Sequence, residues 1–367
     1  MLTKADDYPI HQTPEPIAYC GTDRNFYDRY FFNGYARDGE HFFAVAMGIY
    51  PHLNVIDAAF SVIHEGRQHN VRASRCLHME RLDTHAGPIS VEVVKPLQTL
   101  RLRVDDRANG VRAELVFVAR ARPIEEPRYA RRIGPRTFFD LTRMTQHGNY
   151  EGWIEIGGAR VDVRPERFLG TRDRSWGVRQ IGALDSQPHA PLAAPQFYWL
   201  WAPLNFDDAV FLYDVNQDAS GETWHQGAFL GGLGDVDAET MASSSSRIVF
   251  KPGTRHAKSA ELRLRRKSGS DVEIQLEPSY RFSMSGIGYF HPEWGHGVYT
   301  GEDRTGYDVY ELASVDETQP LHLHVQAFCR ARLRENGRTK DGVGVLEQLI
   351  LGPHEPSGLR ELLDGAR

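Results

Sequence analysis

The run Thr171-Arg172-Asp173-Arg174-Ser175-Trp176-Gly177-Val178-Arg179 packs three arginines, one carboxylate and one indole into nine positions. In an extended chain, side chains alternate between faces. Thr171, Asp173 and Ser175 then share one face, and Arg172, Arg174 and Trp176 share the other. Covering Trp176 favours burial, whereas a buried charge without compensation is costly. The charges must therefore be paired or meet a ligand. As a general acid, Asp173 needs burial to raise its pKa. The competing and commoner reading is a structural ion pair that staples two domains together. Arg172 and Arg174, two apart, are spaced to fork onto an anionic ligand group.

Further candidates lie beyond this run. The strand-like stretch Phe197-Tyr198-Trp199-Leu200-Trp201 places Phe197, Trp199 and Trp201 on one face. Core filling explains such a run, and so does a wall for a large apolar ligand. Tryptophan faces also stabilise cations, by about 2 kcal/mol when desolvated. His225 follows Trp224 in a strand-like stretch, and Trp294 sits in the loop-like sequence His291-Pro292-Glu293-Trp294-Gly295-His296. Glu347, in a late strand-like segment, faces either a cavity or water. A single histidine among sixteen is more often a hydrogen-bonded or surface residue than a catalyst.

Several other chemistries are disfavoured. His322 and His324 would share one strand face, but no third metal ligand accompanies them. Asp214-Val215-Asn216-Gln217-Asp218 starts like a calcium loop, yet Ala219 and His225 stand where glycine and the closing glutamate belong. Gly231-Gly232-Leu233-Gly234 lacks the strand-to-helix context of a dinucleotide site, and no nucleophile elbow or phosphate loop occurs. The 43 basic and 49 acidic residues, net charge -6, leave no basic excess for nucleic acid. Three cysteines, Cys20, Cys76 and Cys329, are odd in number and widely spaced, which points to a reduced, cytoplasmic protein without a disulfide framework. Residues 1–19 lack the order of a secretory signal, and the longest apolar stretch is too short for a transmembrane segment.

The elements that must position these residues are strands. Period-two alternation recurs throughout, and helical spacing is nearly absent apart from residues 358–364. Asn109-Gly110, Gly157-Gly158 and Asn336-Gly337 are hairpin turn signals. Residues 93–123 and 249–278 share a strand–turn–strand order, with Lys95-Pro96 echoed by Lys251-Pro252. This suggests two similar β units in tandem. The expected organisation is an N-terminal domain over residues 1–183, a proline-rich linker over 184–196, and a C-terminal domain over 197–367.

The stretch Phe168-Leu169-Gly170-Thr171-Arg172-Asp173-Arg174-Ser175-Trp176-Gly177 resembles the signature of the carotenoid 1,2-hydratase, or hydroxyneurosporene synthase-like, family. Gly170, Asp173, Trp176 and Gly177 match its glycine, aspartate and Trp-Gly pair, and Arg172 and Arg174 beside the aspartate depart from it. The resemblance implies an all-β protein of two tandem lipocalin-like antiparallel β-barrel domains, with a ligand pocket near their interface. Family members include hydratases of isoprenoid double bonds, cyclases of prenylated compounds and fungal enzymes of intramolecular cycloaddition. The expected function is a cofactor-independent hydratase, cyclase or isomerase acting on an isoprenoid or polycyclic small molecule. Asp173 would supply the proton and His225 or Glu347 would orient water, with Arg172, Arg174, Trp176, Trp199, Trp201 and Trp294 around the ligand. The alternatives are a non-catalytic lipid or pigment carrier and a carbohydrate-binding β-sandwich. The partner is a hydrophobic small molecule, and a homodimer is left open.

Overall fold

The computed structural model describes residues 14, 16–183, 187, 190 and 195–367. Most of the proline-rich stretch 184–196, with Pro188 and Pro191, lies outside the described residues. Alternating sequence becomes antiparallel strand as expected. Thr99–Asp106 turns at Asn109-Gly110 into Val111–Ala119, Arg136–Ile156 turns at Gly157-Gly158 into Ala159–Val163, and Val325–Glu335 turns at Asn336-Gly337 into Arg338–Leu351. The left-handed φ of 67° at Gly110 and 73° at Gly337 shows why glycine occupies these turns. The two echoing blocks each form a three-strand meander, and both Lys-Pro pairs sit at the first turn.

Two sheets result. In the first, Phe26–Ala36 and Phe168–Val178 are central neighbours, flanked by Phe42–Tyr50 and Arg136–Ile156. In the second, Phe197–Phe206 lies between Ala209–Gln217 and Arg338–Leu351. Each sheet wraps its own apolar core, one including Phe32, Phe60 and Phe117, the other Leu200, Phe211 and Leu262. A third apolar cluster joins them, contributed by Tyr27, Phe31 and Tyr35 from one sheet and Trp199, Trp201 and Phe328 from the other. The strands at the seam are therefore buried on both faces. The protein is all-β, a pair of lipocalin-like antiparallel barrels packed face to face.

One segment crosses the seam. After Asp271–Ser283 the chain leaves the second sheet, and its strand Arg304–Glu311 pairs with Arg67–Cys76 at the edge of the first. Gln68 anchors the excursion by accepting from Ser283 N and donating to Ser283 O, both at 2.8 Å. Buried Arg72 adds an ion pair to Asp308 at 2.9 Å.

Two local expectations fail. Residues 358–364 are not helical: Gly358 adopts φ 71°, seven residues make only a marginal helix, and the Arg255 guanidinium claims the carbonyls of Glu361 and Asp364. Residues 321–325 are not one strand either. Pro320–His322 forms a 3-10 turn, and the strand begins only at Val325. Among the described residues no helix is long and apolar enough to cross a membrane.

Candidate active site

The Phe168–Val178 strand can lie flat between its neighbours because glycines occupy its crowded points. Gly170 stands in register between Gly34 and Gly148. A Cβ on Gly170 would strike Asn33 O and the Tyr150 ring. At Gly177, φ is 134° and a Cβ would strike Asp140 O. Alternation then sets the faces. Asp173 and Ser175 point to the seam, where they line a cavity of about 270 Å³. Its outer wall is apolar, with Phe138, Phe139, Phe197, Trp224 and Leu349. Its inner end is polar, with Arg29, Asp173, Arg179, Tyr289, His324 and Glu347.

Two carboxyl groups on this wall are tuned in opposite directions. Burial pushes the Asp173 carboxyl up to about 6 against the opposing pull of Arg143 and Arg29, and the charges of Glu126 and Glu347 add to the rise. Asp173 keeps some accessible surface because it faces the chamber, while surrounding protein strips away most of its bulk water. Burial also works to raise Glu347, but donors outweigh it. His324 Nε2 at 2.7 Å, Gln326 Nε2 at 2.6 Å and Trp199 Nε1 at 3.2 Å all donate to its oxygens, and its pKa falls below the usual carboxylate value. Gln326 is itself held by Asn33 at 3.0 Å, and Asn33 accepts from Thr171 N and Oγ1. The hydrogen-bond chain thus runs from the Asp173 strand across the seam to Glu347.

Beside them sits Arg143, whose guanidinium lies 4.7 Å from the Trp199 ring centroid, 5.5 Å from Trp201 and 4.9 Å from Tyr129. It is ion-paired to Glu126, which also accepts from Thr145 at 2.6 Å and from Tyr129 at 2.9 Å. Behind Tyr129, His225 Nε2 donates to Asp214 at 2.5 Å, and its ring stacks on Tyr129 at 3.5 Å. Glu126, Asp214 and His225 bring three potential metal-ligand atoms within 4.8 Å of one another. Arg143, Thr145 and Tyr129 fill the Glu126 oxygens and His225 and Tyr129 fill Asp214 Oδ2, while Asp214 Oδ1 is buried without a hydrogen-bond partner; the group is a polar staple behind Tyr129.

The comparisons with known proteins bear on this architecture. A family model, the Family of unknown function (DUF8625), matches residues 2–360. The chain belongs to that family. Among solved structures, this DUF8625 protein is similar to kievitone hydratase from Nectria haematococca, with TM-score 0.56, 11% identity and 88% of each chain covered. A putative AttH from Nitrosomonas europaea gives TM-score 0.53 at 12% identity, covering 93% of this chain and 98% of the other. CghA gives TM-score 0.52 at 11% identity, with 89% of each chain covered. No curated protein matches the sequence. At these identities the likeness is one of fold. The family is DUF8625, and these solved neighbours share the lipocalin-like architecture that the resemblance to carotenoid 1,2-hydratases implies.

The structure brings together only part of the residue set expected from the sequence. Asp173, Glu347, Trp199 and Trp201 meet at the cavity. His225 does not line it, standing instead behind Tyr129. Arg172 faces the first barrel's core, donating to Gln146 at 2.9 Å, and Arg174 pairs with Asp28 at 2.6 Å, so neither forks onto a ligand there. Trp176, on that same face, is 40% exposed rather than buried, near the C-terminal end of the strand. Trp294 packs over Gly306 beneath Arg304, away from the chamber. The Trp199 and Trp201 rings already carry Arg143, which corrects the idea that their faces await a substrate cation. Arg29, Arg143, Tyr129, Tyr289 and His324 were missed. Arg29 stands between Asp28 and Tyr30 and Arg143 between Thr142 and Met144, and no pattern there reveals which sheet face another sheet will cover.

Proposed function

We propose that this protein is an acid–base hydratase or cyclase acting on a carbon–carbon double bond of a hydrophobic small molecule bound at the seam. The observation that carries this reading is the Asp173 carboxyl, raised to about 6, on the wall of a 270 Å³ chamber that also holds Glu347, kept ionised by its donors. Carboxyl groups driven apart in pKa divide into an acid and a base. Neutral Asp173 gives its proton to one alkene carbon. Water, or a nucleophile within the substrate, bonds to the other carbon, and Glu347 takes that nucleophile's proton. The developing positive charge lies between two carboxylates, Glu347 and the newly ionised Asp173. Solvent reloads Asp173 and unloads Glu347. The apolar wall suits an isoprenoid or polycyclic body, no cofactor takes part in these steps, and a hydratase among the structural neighbours supports the reading.

The test is incubation of hydrophobic alkenes with the protein in D2O, read by mass spectrometry. One carbon-bound deuterium is expected in the product, with added water for a hydratase and without it for a cyclase. Asp173→Asn should lose this labelling by at least about 10³-fold while binding stays within severalfold. Unchanged labelling in the variant refutes the mechanism, and recovery of unaltered ligand from the native protein leaves a carrier.

A further inference from the structure

The polar end of the chamber contains two guanidinium groups, Arg29 buried and Arg179 half-buried, that make no ion pair among the described residues. Arg29 lies on the seam face of Phe26–Ala36, directly opposite Ser175, and is 4% exposed. Arg179 follows the Asp173 strand and stands over the Tyr27 ring at 4.5 Å. Arg29 Nη1 donates to Tyr289 Oη at 2.6 Å, and Arg179 Nη2 donates to His296 Nδ1 at 3.3 Å. That histidine is held neutral: burial first, then the two arginines, push its pKa well below the usual value. Both Nε atoms lack any hydrogen-bond partner. Among the described residues no carboxylate lies within ion-pair distance of either group. The other buried arginines near the seam differ, since Arg72 has Asp308 and Arg143 has Glu126.

Two guanidinium groups that line the cavity and touch no carboxylate form an unfinished site, because a paired charge is the strongest compensation for a guanidinium withdrawn from water. We infer that Arg29 and Arg179 form an anion-recognition subsite, and that the substrate is a hydrophobic molecule ending in a carboxylate. The carboxylate lies against the two arginines and the apolar body reaches outward between Phe139, Phe197 and Trp224. This placement rests on the chamber being the substrate site proposed above. It also serves the acid: a second negative charge beside Asp173 disfavours its ionisation and keeps its proton loaded. In sequence, Arg172 and Arg174 are spaced to fork onto an anionic group. The fold transfers that role to the next arginine of the run and to a partner on the neighbouring strand.

The experiment compares trans-cinnamate with cinnamamide, an uncharged probe of nearly the same shape, by calorimetric titration at pH 7. Cinnamate should bind the native protein at least about 10-fold more tightly, since charge-assisted bonds to guanidinium exceed neutral ones. Arg179→Met should bring the ratio close to one while cinnamamide affinity stays within about threefold, and Arg179→Lys should restore part of the preference. Equal affinities in the native protein, no cinnamate binding, or a preference that survives Arg179→Met overturns the inference. Asp173→Asn should keep the cinnamate preference, so loss of the catalytic reading and loss of the anion subsite give different results.

Discussion

Two groups of buried acids lie on either side of Arg143, and their difference is instructive. Asp173 and Glu347 face the chamber, whereas Glu126 and Asp214 are sealed behind Tyr129 with His225. The residue types are the same and both groups are buried. In the sealed group Glu126 has Arg143, Thr145 and Tyr129 as donors, and Asp214, which burial raises, has the His225 hydrogen bond. In the open group Asp173 makes no direct ion pair among the described residues and keeps a face toward the cavity. Access to the void, more than the number of hydrogen bonds, separates the two groups: Glu347 accepts from three donors and still borders the chamber, whereas Asp214 keeps Oδ1 without a partner yet has no opening to it.

Substitutions can break this contrast. Glu347→Gln should lower turnover by about 10²–10⁴, the usual contribution of a positioned proton acceptor. Retained turnover in steady-state assays would move Glu347 into the structural group. Glu126→Gln should instead cost about 3–5 kcal/mol of stability, because it strands the buried Arg143 guanidinium. An unchanged denaturation midpoint would show that the sealed group is not a staple.

Asp173 itself carries a signature of both kinds. Its folded-state pKa of about 6 exceeds the ordinary 3.8, so the native state binds more protons than the unfolded chain between these values. Its contribution to stability is therefore most favourable below about pH 4 and is lost as pH rises through 6. Asp173→Asn should stabilise the protein at pH 7 by about 1–3 kcal/mol, and flatten this pH dependence in thermal melts. For the same reason kcat/KM of the proposed reaction should fall in the native protein as pH rises through about 6, where the acid loses its proton. The smallest effect is expected at Trp176, on the face away from the chamber: Trp176→Ala should change turnover by less than about threefold. A larger loss would mean that the outer face of the motif strand takes part in function.

The sequence determined what is local. Asn-Gly and Gly-Gly turns placed the hairpins, because positive φ is a property of single residues, and alternation put Asp173 and Thr171 on a face opposite Arg172 and Trp176, because the pleat has period two. Alternation also set Trp199 and Trp201 together. Only the tertiary structure decided which face becomes the seam, and with it which charges meet. Arg29, Arg143 and Glu347 lie on separate strands, and Tyr289 arrives on an excursion from the second sheet. Their encounter depends on how the two sheets dock. That docking is set by the summed packing of a third apolar cluster drawn from distant parts of the chain, which no short window of sequence contains.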